Sequence, residues 1–89
     1  MPVFMVERQF SDRLEAAGET AAAINRINDE AGVRWLKSFL SSDKRKTFCL
    51  YEADDVASIR TAAIRAGLPA DAIMELSGTL APDGSFAPM

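Results

Sequence analysis

Four strands and two helices in the order β-α-β-β-α-β, an α+β arrangement, are predicted by three observations. Residues 33–53, VRWLKSFLSSDKRKTFCLYEA, read as two apolar strands joined by a short charged turn. Helical periodicity flanks that pair on both sides, each time with residues suited to capping. A further extended segment, VFMVERQF, precedes the first helix, and a fourth strand follows the second.

In the first strand, residues 3–10, Phe4, Val6, Arg8 and Phe10 share one parity and Val3, Met5 and Glu7 the other. A start that is apolar on both parities predicts a strand covered on both faces, hence a central one. Residues 11–19, SDRLEAAGE, are small and polar and read as a loop or a single helical turn. From residue 20 to 31, Ala23, Ile24, Ile27 and Ala31 fall on one helical face, with Thr20 placed to cap the start and Gly32 to close the end.

The second strand, residues 33–41, sets Val33, Trp35, Lys37 and Phe39 against Arg34, Leu36, Ser38 and Leu40. The turn SSDKR leads to a third strand over 47–53, where Phe48 and Leu50 oppose Cys49 and Tyr51. Asp54 or Asp55 can cap a second helix whose apolar face is Val56, Ile59, Ala63 and Ala66, and Gly67 with Pro69 ends it. A fourth strand is expected over 72–80, and residues 81–89, with two prolines and a glycine, read as an irregular or partner-docking tail to a single domain of residues 1–80.

This order is the ferredoxin-like, split-βαβ arrangement: one antiparallel sheet with both helices on one face. The first and third strands suit its centre and the second and fourth its edges. Two helices cover only one face, so Val3, Met5, Trp35, Phe39 and Tyr51 are expected on the other, and an uncovered apolar face predicts an interface, first of all a homodimer.

The bulk properties agree. The chain has 89 residues, 48% hydrophobic and 26% charged, which is globular usage. At that size an isolated core buries only about 60% of the unfolded surface, so a second subunit would help. A net charge of −3 disfavours nucleic acid and anionic membranes. The first residues show neither a basic start nor a long apolar run, so a cytoplasmic location is expected. A single cysteine, Cys49, excludes an intramolecular disulfide.

Candidate chemistry is sparse. Cys49 has no histidine to activate it, because the chain contains none, and its simpler reading is a small buried hydrophobe. Glu7, Lys37, Cys49 and Tyr51 share the uncovered face if Phe4, Leu36, Phe48 and Leu50 point to the helices. That would form a polar cluster suited to a ligand, or a cross-strand ion pair at a dimer seam. The basic turn Lys44–Arg45–Lys46 is reminiscent of RNA-recognition domains, but KTFCLYEA lacks the glycine and the stacking aromatic which those need. Asp54 with Asp55, or Glu7 with Cys49, could contribute to a metal site, although the acidic pair is better explained as a cap. No nucleophile elbow, phosphate loop or HExxH pattern occurs.

MVER at 5–8, Trp35 followed by Ser38, DKRKTFCLYEA at 43–53, and GLPAD at 67–71 with Ile73 closely resemble a family of small bacterial proteins of unknown function, one branch of which binds nickel. The resemblance spans residues 1–76 and implies a ferredoxin-like fold and a homodimer. It does not carry the metal over. In the nickel-binding branch the pattern is similar to WVHSYV, with histidine where Lys37 stands, and a protonated lysine offers no lone pair.

The sequence therefore predicts a homodimeric domain with small-ligand or vestigial metal binding on the uncovered face, its candidate residues Glu7, Trp35, Lys37, Cys49 and Tyr51. An enzyme with a cavity enclosed between two sheets, or a structural interaction module, is the alternative.

Overall fold

A computed structural model describes residues 2–10 and 18–89, with the side chains of the first helix described from residue 21 onward. The main elements are β1 (Val3–Gln9), α1 (Gly18–Ala31), β2 (Arg34–Leu40), β3 (Lys46–Glu52), α2 (Val56–Ala66) and β4 (Ala72–Leu76). The strands form one antiparallel sheet in the order β2-β3-β1-β4, so β1 and β3 are central and β2 and β4 are edges, as their apolar patterns predict. The loop expected over 11–19 lies outside the described residues for 11–17, while Gly18 and Glu19 already belong to α1. Thr20 is thus inside the helix and not its cap.

Cross-strand partners share a face, so the register assigns every side chain. One face carries the rows Leu40–Thr47–Arg8, Ser38–Cys49–Val6–Ile73 and Trp35–Tyr51–Phe4–Glu75. Here lies the core, where Phe4, Val6, Cys49 and Tyr51 pack with Val33, Ala53 and, from α2, Ile59 and Ala62. The other face carries Phe39–Phe48–Glu7–Ala72, Lys37–Leu50–Met5–Met74 and Arg34–Glu52–Val3–Leu76.

The second helix begins and ends as its sequence dictates. The Asp55 carboxylate accepts from the Ser58 backbone N–H (2.8 Å) and hydroxyl (2.9 Å), and those bonds hold its pKa below the usual carboxylate range. At the other end Gly67 adopts φ 67°, and the Leu68 N–H returns to the Ala63 carbonyl (3.0 Å), a left-handed stop that a Cβ would strain. Its buried stripe is Ile59, Ala62 and Ala63, with Val56 exposed instead of buried. In α1 the most buried position among the described side chains is a polar one, Asn28, whereas Ala23 is exposed.

Beyond β4 the chain departs from expectation. The fourth strand ends at Leu76, and residues read as its continuation and as an irregular tail form a separate antiparallel hairpin, β5 (Gly78–Leu80) with β6 (Phe86–Pro88). The reversal is built on Asp83, whose carboxylate accepts from the Ser85 N–H (2.9 Å) and hydroxyl (2.7 Å). The Phe86 ring lies so close over Gly78 that a Cβ there would fall 2.6 Å from it. Turn chemistry, the backbone ladder with bonds such as the Ala81 N–H to the Ser85 carbonyl (2.9 Å), and this close packing hold a strand pair that too few alternating residues advertise. No described helix is long and apolar enough to cross a membrane.

Candidate functional site

The register breaks between Trp35 and Lys37, where Leu36 bulges out of the β2–β3 ladder. One extra residue reverses the parity of the strand. Trp35 therefore points to the helices, whereas Lys37 and Phe39 point away from them. A regular strand, as the sequence suggests, would have put all three on one face.

A second correction concerns β3. Phe48–Leu50 and Cys49–Tyr51 are equally apolar, so the strand alone does not choose its inner side. Pairing with β1 chooses. Phe4 faces Tyr51 and Val6 faces Cys49, so the four travel together to the helix side, and Phe48 and Leu50 go outward. The expected polar cluster of Glu7, Lys37, Cys49 and Tyr51 is therefore split: Glu7 and Lys37 lie on the uncovered face, Trp35, Cys49 and Tyr51 beneath the helices. Glu7 and Cys49, on opposite faces, cannot share a metal.

What the helix side assembles is a pocket of about 270 Å³, lined among the described residues by side chains of β1, α1, β2, β3 and the segment after α2. Trp35 forms one wall, its indole N–H donating to the Ser38 hydroxyl (2.9 Å). That bond spans the bulge and fixes the ring plane. Ile24, Leu40 and Leu68 add apolar surface, and Cys49 contributes a buried thiol that donates to the Thr47 hydroxyl (3.5 Å).

Arg8, absent from the sequence-based candidates, lies at the same pocket and is only 4% exposed. One guanidinium nitrogen donates to the Pro69 carbonyl, another to the Tyr51 hydroxyl (3.2 Å), and the group stands 5.7 Å over the Tyr51 ring. Burial pushes the Tyr51 pKa up, a shift that the adjacent Arg8 cation opposes without cancelling, so the phenol stays protonated and able to donate. The signal for Arg8 was in the sequence: it occupies the parity of Phe4 and Val6 in a central strand, where a charge needs a reason.

The uncovered face is arranged otherwise. Lys46 pairs with Glu7 (2.9 Å) and stands 5.8 Å over the Phe48 ring, and Arg34 pairs with Glu52 (3.8 Å). Phe39 and Met74 are exposed there, at 54% and 61%. Among the described residues, no group of three or more histidine, cysteine, aspartate or glutamate side chains could hold a metal ion.

The architecture is similar to that of SCO4226 from Streptomyces coelicolor A3(2), whose crystal structure superposes with a TM-score of 0.75 at 18% identity, covering 86% of this chain and 98% of that one. No curated protein matches the chain in sequence. A family model described as nickel responsive protein SCO4226-like matches residues 4–76, from the core of β1 to the end of β4, leaving the terminal hairpin outside. With that span matched, the chain belongs to the SCO4226-like family.

Proposed function

We propose that the chain is a homodimeric small-ligand-binding domain, with no catalytic role, that uses the two faces of its sheet for different tasks. The pocket beneath the helices receives the ligand, and the uncovered face receives a second copy of the chain. The ligand reading is carried by one observation: Trp35, Cys49 and Tyr51 line a cavity that the described residues leave unfilled beside a buried cation. The dimer reading is supported by exposed Phe39 and Met74 in a face whose ion pairs, Lys46–Glu7 and Arg34–Glu52, already balance. Lys37 is the cation of this face outside those pairs, so the face carries little net charge to repel its own copy.

Nickel does not fit the donors present. The chain has no histidine, its one thiol is buried away from every carboxylate of the uncovered face, and Lys37 is a cation. A family described as nickel responsive thus includes a member whose described residues give that ion no set of ligands.

Two measurements test these readings. Sedimentation at micromolar concentration should give a dimer, and Phe39→Asp should give a monomer with unchanged circular dichroism; a monomeric parent would overturn the interface. Calorimetry with nickel, cobalt and zinc should show no heat and no rise in melting temperature. A rise of several degrees would restore the metal reading, since a ligand of the folded state must stabilise it.

A further inference from the structure

Arg8 is kept unlike the chain's ion-paired cations. Arg34, Lys46 and Arg65 each stand against a glutamate. Among the described residues Arg8, the buried one, has only the Pro69 carbonyl and the Tyr51 phenol as partners, and its Nε–H meets no acceptor. Taking a guanidinium out of water costs several kcal/mol, a penalty that neutral oxygens offset poorly and a carboxylate offsets well. Two of the five guanidinium N–H groups are used in these bonds and the Nε–H has almost no accessible surface, so what the pocket meets, where Arg8 and Tyr51 both line it, is a cation that no described carboxylate balances. Around them the lining is apolar, from Phe10, Ile24, Trp35, Leu40 and Leu68.

We infer that the pocket binds a compact apolar monocarboxylate, its carboxylate on Arg8 and Tyr51 and its hydrocarbon or aromatic body against Trp35, Leu40 and Leu68. The inference deepens the ligand-binding reading and depends on it. A volume of about 270 Å³ lies just below the range of pockets for drug-sized molecules, so the ligand is a small one. The acid is preferred over a neutral molecule of the same shape because only an anion relieves the buried cation, through a charge-assisted bond.

Trp35, the chain's one tryptophan, lines the pocket and reports occupancy directly. The full chain is titrated at pH 7 with phenylacetate and, separately, with 2-phenylethanol, following Trp35 fluorescence and heat. Phenylacetate should bind at least about tenfold tighter, as expected of a charge-assisted hydrogen bond made in a dry site. Arg8→Met should remove that preference while leaving the alcohol within about threefold, because the apolar walls are intact. Arg8→Lys, which keeps the charge without the fork, should retain only part of it. Equal affinity for acid and alcohol would overturn the carboxylate inference and leave the pocket reading standing. Failure of both probes to bind at millimolar concentration would overturn the pocket itself. Retention of the preference in Arg8→Met would place the anion elsewhere and also overturn the inference. The comparison of acid with alcohol on the unmodified chain decides the matter even if the variants do not fold.

Discussion

On the uncovered face of the sheet Lys46 and Arg34 each stand beside a carboxylate, whereas on the helix face Arg8 stands beside a carbonyl and a phenol. The outer pairs are wet, close to self-sufficient and cheap to rearrange. The inner cation is dry and carries an electrostatic cost that the protein's described residues leave largely uncompensated. The same three strands supply both arrangements, and the Leu36 bulge lets β2 contribute Trp35 to one and Lys37 to the other. The contrast is between a dry, apolar-lined face with a cation that no described carboxylate matches and a wet face whose ion pairs are matched.

The largest expected effect sets the two faces against each other in stability. Phe4 is 2% exposed in the core, so Phe4→Ala should cost about 3–5 kcal/mol in urea unfolding. Phe39→Ala, at an exposed site, should cost less than about 1 kcal/mol at nanomolar protein, with the cost growing as concentration rises and the second copy adds its share. Equal costs in dilute solution would mean that the outer face is an ordinary part of the monomer core.

The bulge offers a second test, of intermediate size. Deleting Leu36 leaves Trp35 and Lys37 adjacent, in a regular alternation that keeps each on its present face. The variant should fold, keep the Trp35 environment by fluorescence, and lose about 1–2 kcal/mol at most. Deleting Ser38 should cost more, since it removes the Trp35 partner and sends Phe39 inward. If the two deletions behave alike, the bulge is not what divides the strand between the faces.

Much of this was legible beforehand. The element order, the central place of β1 and β3, the Asp55 cap and the Gly67 stop follow from local chemistry: apolar runs, a side-chain acceptor, and a residue tolerant of positive φ. What was not legible depends on pairing. No property of KTFCLYE says whether Cys49 or Phe48 faces the helices, because both parities are apolar and only the Phe4–Tyr51 register breaks the tie. The bulge is likewise invisible in RWLKSFL, which alternates well enough to pass for a regular strand. Strand parity singles out Trp35, Cys49 and Tyr51 but assigns them to the uncovered face, and these two facts together put them beneath the helices. Arg8 was missed because a charge in an alternating strand reads as solvent-facing unless its parity is checked against its neighbours. The hairpin at 78–88 escaped because three-residue strands carry too little periodicity to register.

The smallest effect is the most discriminating for the outer face. Glu7 and Lys46 form a 2.9 Å pair between partly exposed side chains, so in the monomer Glu7→Gln should cost no more than about 1 kcal/mol, shrinking further as salt screens the pair. If the face meets a second copy, the pair is drawn out of water on association, and Glu7→Gln leaves Lys46 desolvated without its partner. The same substitution should then weaken the dimer by more than it destabilises the monomer, with a salt dependence smaller than that of the monomer effect. Sedimentation and urea unfolding on one sample series give both numbers. A variant whose two losses are equal, and equally screened by salt, would show the pair to be solvent-exposed in the assembled state, and the partner would then sit elsewhere than on Phe39 and Met74.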